Sequence, residues 1–204
     1  MNSKVIIGID LAGPARHQDT AMAILSGNKI EIHSNLSDQS IYDIAKEYPN
    51  ACICIDAPLS YSETGGFRAS DHSLRKHLND RGFTKIGLMA PTYNRMIYLT
   101  ARGIRLTRLL SSLPICNIYE SHPGAFLALS SYNYEDVIAI KSESTALQKL
   151  AAAIEEKGYQ FNQRIENDHQ LMAVACALSG EQHLKGQSNW HWPDTNIDAY
   201  DFIA

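Results

Sequence analysis

Three short apolar runs in this chain each end on a carboxylate. They are Val5-Ile6-Ile7-Gly8-Ile9 before Asp10, Cys52-Ile53-Cys54-Ile55 before Asp56, and Ile115-Cys116-Asn117-Ile118-Tyr119 before Glu120. Runs of this length and composition read as strands, and Ala51–Ile55 is apolar on both faces, as suits a central parallel strand. A carboxylate at the end of a buried strand is costly to leave unpaired. In an open α/β sheet the carboxyl ends of the strands meet along one edge, where ligands bind. Clustered carboxylates repel one another unless a cation neutralises them, and a set of oxygen donors suits Mg²⁺ or Mn²⁺. The pattern predicts an α/β fold with a metal site on the sheet edge.

The 204 residues allow one sizeable core and read as a single domain, 1–204. The first third is a three-stranded meander of Val5–Asp10, Thr20–Ser26 and Lys29–Ser34, with Gly27-Asn28 as a two-residue hairpin link. Asp38 can cap a helix carrying Ile41, Ile44, Ala45 and Tyr48, which Pro49-Asn50 ends. A helical excursion over about 57–113 follows the fourth strand, with helices at Phe67–Asn79 and Asn94–Leu113 around a loop at Gly82–Tyr93. The fifth strand is Ile115–Glu120. Pro123 then opens a short helix, Ser144–Lys157 is an Ala-rich helix ended by Gly158, and Asn167–Ser179 is the last helix. The segment from Gly180, with Trp190 and Trp192, carries no readable pattern. This order is that of an RNase H-like fold: a mixed five-stranded sheet, order 3-2-1-4-5, flanked by helices, with a helical insertion after strand four. The first and fourth strands are then parallel neighbours, the fifth lies beside the fourth, and Asp10, Asp56 and Glu120 share one rim.

Composition excludes some classes. Hydrophobic residues make up 45% and charged residues 20%, a globular balance. No window reaches the ~18 apolar residues of a membrane span. Met1-Asn2-Ser3-Lys4 leaves no room for a signal peptide, so a cytoplasmic protein without a membrane partner is expected. Cys52 and Cys54 belong to no C-x-x-C pair and read as buried free thiols. The net charge of −4 is uneven, because residues 64–113 hold nine Lys or Arg against two Asp. That asymmetry suggests a basic surface beside an acidic site, and a solvated helix face would account for it as well.

Each candidate has a plain structural alternative. Asp10, in Gly8-Ile9-Asp10-Leu11-Ala12-Gly13, is either the central metal carboxylate or a turn aspartate bonding backbone amides. Pro58 forces Ala57 to be extended, which leaves Asp56 exposed at the rim as a ligand or as a cap of the loop. Glu120 is a ligand or an acid at the start of the Pro123 helix. Asp168 opens the last helix as an N-cap or, one turn before Met172, looks toward the sheet edge. His122 and His169 adjoin candidate carboxylates and could take a proton or orient water, whereas His183 and His191 read as surface residues.

At these residues the chain resembles the predicted nuclease family of RNase H fold, also catalogued as domain of unknown function 429. The resemblance rests on Ile7-Gly8-Ile9-Asp10, Ile55-Asp56-Ala57-Pro58-Leu59, Arg68-x-x-Asp71-x-x-x-Arg75, Tyr119-Glu120-x-x-Pro123 and Ala173-Val174-Ala175-Cys176-Ala177-Leu178. These run in family order and reach to about Gly180. Related sequences usually place an Asp just before the final alanine-rich run, where this chain has Met172.

The expected activity is metal-dependent phosphodiester hydrolysis of nucleic acid. Two Mg²⁺ or Mn²⁺ ions would be bridged by Asp10, with Asp56 and Glu120 on one side and Asp168 on the other, the four acting as both metal ligands and catalytic groups. Arg68, Arg75, Arg102 and Arg105 would grip phosphates, and Tyr61, Tyr93 and Tyr98 would stack unpaired bases. Arg68, Asp71 and Arg75 have the spacing of an internal ion-pair ladder as well. The rival functions are a catalytically degenerate binding or assembly protein and a small-molecule phosphotransferase of the actin-like ATPase type.

Overall fold

A computed structural model describes residues 4–193 and 200–204. Met1, Asn2 and Ser3, read above as too short for a leader, lie outside them. The five expected strands form as β1 (Ile6–Asp10), β2 (Ala21–Ser26), β3 (Lys29–Ser34), β4 (Cys52–Asp56) and β5 (Asn117–Ser121). Three two-residue strands join them: β6 (Gln160–Phe161), β7 (His191–Trp192) and β8 (Phe202–Ile203). The sheet therefore has eight strands, not five, in the order β6-β3-β2-β1-β4-β5-β8-β7. The expected series 3-2-1-4-5 forms its middle, and the added strands extend both edges. The sheet is mixed, because β1 pairs antiparallel with β2 and parallel with β4, and β4 pairs parallel with β5.

Local chemistry explains the joints. Gly27 takes a positive φ of 62° at the first central position of the β2–β3 turn, where glycine carries no steric cost. Ser37, not Asp38, caps α1 (Asp38–Lys46), since its hydroxyl accepts from the Ser40 amide. The excursion supplies α2 (Ala69–Asn79) and α3 (Met96–Leu110). After β5 come α4 (Pro123–Leu129), α5 (Tyr134–Ala139), α6 (Ser144–Glu156) and α7 (Asp168–Leu184), of which α5 was not anticipated. Gly158, at φ 98°, stops α6 as expected.

The sheet is covered on both sides. Ile7, Ile9, Ile53 and Ile55 point to the side of α1 and α3, where Ile41, Ala45, Leu106 and Leu110 complete a core. Ile6, Cys52, Cys54 and Tyr119 point to the side of α4–α7. Helix α7 lies unusually close to the strands, and small residues make this possible. A Cβ on Gly8 would come within 2.1 Å of the Ala173 carbonyl and 2.4 Å of the Ala177 amide, and one on Gly180 would meet Cys54 Sγ at 2.4 Å. The alanine-rich helix is thus a seat for β1 and β4. Its first turn arrives beside the ends of those strands.

Candidate functional site

Asp10, Asp56, Glu120 and Asp168 all line one cavity of about 530 Å³ at the carboxyl edge of the sheet. Strand register decides which way each carboxylate faces. Asp10 pairs with Asp56, so in parallel strands the two point to the same face, the one under α7. Glu120 pairs with Ile55, one residue earlier, and points with it to the opposite face.

On the α7 face the carboxylates are short of positive partners. His169 Nδ1 lies 2.7 Å from Asp10 Oδ2, and its Nε2 lies 4.0 Å from Asp19 Oδ2. Burial pushes the Asp10 carboxyl above its ordinary range, against the pull of the His169 hydrogen bond. Asp56 is pushed well above its range by burial and then by the charge of Asp10 beside it. The hydrogen bond to Asp10 holds His169 above the usual imidazole value. Asp168 lines the same cavity free of capping duty, because Asn167 caps α7 by accepting from the Gln170 amide. Met172 also lines it. Lys85 and Lys141, which the sequence did not single out, are exposed cations on this wall.

On the other face the carboxylate has a full cationic partner, although burial still lifts Glu120 above its ordinary range against the pull of Arg68. Arg68 is 5% exposed and donates to both oxygens of Glu120 and both of Asp71. The Leu59 amide donates to Glu120 Oε2 at 2.8 Å. Burial would pull the Arg68 guanidinium down, and its bonds to Glu120 and Asp71 hold it above its ordinary value. Phe202 backs the guanidinium, with its ring centroid 5.4 Å away. This is the internal ion pairing that the Arg68-x-x-Asp71 spacing allowed, and it corrects two expectations. Arg68 does not present its donors to a phosphate, and Glu120 turns to the face opposite Asp10 and Asp56, where both of its oxygens accept from Arg68.

Arg102 also departs from expectation. It is 7% exposed and donates to Asp38, Thr20 Oγ1 and the Ala12 carbonyl, tying α3 and α1 to the loop after β1. Its spacing with Leu106 and Leu110 sets it on the buried stripe of α3. Arg105 is exposed and pairs with the same Asp38 at 3.2 Å. Arg75 stacks 4.0 Å over the Phe67 ring and donates to the Leu88 carbonyl. Tyr61, Tyr93 and Tyr98 are all more than half exposed. His122 uses Nδ1 to accept from the Ala125 amide and bonds the Gly87 carbonyl through Nε2, so it serves as a helix cap.

Could the rim hold a metal? Asp10, Asp56 and Asp168 offer hard oxygen donors, and the raised carboxyls of Asp10 and Asp56 are what a cation would relieve. The donor set fits Mg²⁺ or Mn²⁺. These three carboxylates are nonetheless looser than a closed cage. Among the described residues, the trio of ligand atoms that all lie within 4.8 Å of one another is His183, His191 and Asp201, at another place in the fold.

Comparison of the chain with protein-family models, with curated proteins and with solved structures returns no match. No helix among the described residues is long and apolar enough to cross a membrane.

Proposed function

We propose that this protein is an RNase H-like, divalent-metal-dependent phosphodiesterase acting on nucleic acid. The observation that carries the reading is the pairing of Asp10 with Asp56 in register at the sheet edge, the first buried and the second half-buried, both under-neutralised and facing the first turn of α7. The middle sheet order 3-2-1-4-5 and the resemblance noted above support the same class. Asp10, Asp56 and Asp168 would hold the ion, and Glu120 drops out of the ligand set. When bound, Mg²⁺ or Mn²⁺ supplies an acidified water and neutralises charge on the phosphoryl oxygens. His169 orients Asp10 through Nδ1 and is able to hold a proton near the cavity. Lys85 and Lys141 attract the phosphate, and exposed Tyr61, Tyr93 and Tyr98 offer stacking surfaces on the excursion.

One observation favours a smaller substrate. Arg68 and Arg102 are internal, and a cavity of about 530 Å³ suits a nucleotide-sized molecule. The deciding experiment is Mn²⁺-dependent turnover of single- and double-stranded DNA and RNA beside a small phosphodiester such as bis-p-nitrophenyl phosphate. The proposal expects oligonucleotide cleavage that Asp10→Asn abolishes. Turnover of the small ester alone would transfer the site to the second reading. No turnover of either would leave a degenerate binding protein.

A further inference from the structure

The same helix that brings Asp168 to the sheet edge carries a second cluster at its far end. His183 is fifteen residues beyond Asp168, about 22 Å along the axis at 1.5 Å per residue. There His183 meets His191 of β7 and Asp201, which immediately precedes β8. His183 Nε2 lies 3.8 Å from Asp201 Oδ2, and His191 Nε2 lies 3.1 Å from the same oxygen. All three ligand atoms fall within 4.8 Å of one another. Tetrahedral ligands about 2.0–2.1 Å from an ion sit roughly 3.4 Å apart, so these separations are close to those of a filled site.

The surroundings hold the imidazoles in a ligating pose. Ser188 Oγ engages His183 Nδ1 at 3.0 Å, which leaves Nε2 to the cluster, the usual arrangement behind a metal-bound histidine. The edge of Tyr119 packs against the His183 ring with centroids 4.8 Å apart, and the two histidine rings lie 4.8 Å apart. Asp201 also lines a groove of about 410 Å³, which gives an ion a path of entry.

We propose that His183, His191 and Asp201 form a binding site for a borderline divalent ion of the Zn²⁺ class. Two imidazoles and one carboxylate favour Zn²⁺, Co²⁺ or Ni²⁺ over Mg²⁺, which prefers oxygen alone. Three protein ligands leave one position for water. The ion clamps the C-terminal strands to the end of α7. Strand β8 carries Phe202, which backs Arg68, and β7 follows directly on Trp190, which packs with Leu74 and Leu78 of α2. The site thus fastens the residues that back Arg68 and α2, without touching the chemistry of the candidate active site.

The test uses the full chain carrying Asp10→Asn, freed of metal with EDTA, so that the sheet-edge site contributes little. Titration with Zn²⁺ should show one equivalent bound and a raised Tm, and Co²⁺ should give the intense visible bands of a tetrahedral site. His191→Ala and His183→Asn should each lower Zn²⁺ affinity by at least about 100-fold, since even losing a partner of a ligand costs 10–100-fold. His191 is exposed on a two-residue strand, so its variant keeps the test open if the His183 variant misfolds. Failure of the Asp10→Asn chain to bind Zn²⁺ or Co²⁺ would overturn the proposal. So would binding that survives the loss of His191.

Discussion

The two sides of one sheet edge carry the same functional group, a carboxylate, and put it to opposite uses. Under α7, Asp10 and Asp56 stand side by side with one histidine, His169, bonded to Asp10. On the reverse side Glu120 is held by Arg68 and the Leu59 amide, and Asp71 and Ser60 take the guanidinium's remaining donors. A single residue of register separates the two outcomes, because β5 meets β4 with Glu120 opposite Ile55. The comparison teaches that a carboxylate at a strand end becomes a candidate ligand only when its parity carries it away from a buried arginine. The open side holds unrelieved charge available to a cation. The closed side is a structural lock.

The largest effect should come from opening the lock. Arg68→Met leaves Glu120 and Asp71 buried without their cation, and breaking such a pair costs about 3–5 kcal/mol. Chemical denaturation should show that loss in the midpoint with little change in slope. A neutral result would mean that Glu120 does not depend on Arg68, and Glu120 would return to the candidate ligands.

The open side should respond in the opposite sense. A carboxyl whose folded value is raised destabilises the metal-free protein above that value, so Asp56→Asn should raise its Tm. Mn²⁺ at a hundred times its Kd should stabilise the wild type by about 2.7 kcal/mol and leave Asp56→Asn nearly unmoved. Binding should tighten as pH rises, and over a range higher than that of ordinary carboxylates, because protons on the raised carboxyls of Asp10 and Asp56 compete with the ion. Equal Mn²⁺ shifts in both proteins would place the ion elsewhere.

Next comes the seat that aligns the open side. Gly8→Ala drives a Cβ into the backbone of α7, and overpacking of this kind costs about 1–3 kcal/mol. Since no flexible side chain can yield, the helix must shift, taking Asp168 and His169 away from Asp10. Loss of the Mn²⁺ shift together with the stability loss is the expected signature. A Gly8→Ala protein that binds Mn²⁺ normally would show that α7 does not position the site.

Much of this contrast was legible in the chain, and the unreadable part has definite causes. The five long strands and the helices at Ser144 and Asn167 announce themselves through runs and periodicity of apolar residues. Strands β6, β7 and β8 have two residues each, too few for an alternation to be read. Asp10 and Asp56 were visible because both close buried runs. The face that Glu120 takes was not, since strand offset is a tertiary property. Arg68 sits at the N-cap of α2, a position where nothing in the local sequence marks burial. Arg102 could have been caught, because it falls on the stripe of Leu106 and Leu110, whereas Arg105 and Arg108 fall off it.

The smallest effect concerns the cations left on the open side. Arg68 and Arg102 are sealed in the interior, and Lys85 and Lys141 are the exposed cations that line the cavity among the described residues. If a nucleic acid strand lies there, Lys85→Ala with Lys141→Ala should weaken binding. Each lost phosphate contact should flatten the log–log salt dependence by about 0.7 for a single strand or 0.9 for B-DNA. Exposed lysines contribute only tenths of a kcal/mol through pairing, so stability should hold. Removing Arg102 would do the reverse, costing stability through its buried contacts to Asp38 and Thr20 without a specific change in salt slope. A salt slope that ignores both lysines would mean that the phosphates run elsewhere, with exposed Arg105 and Arg108 on α3 as the next cations to remove.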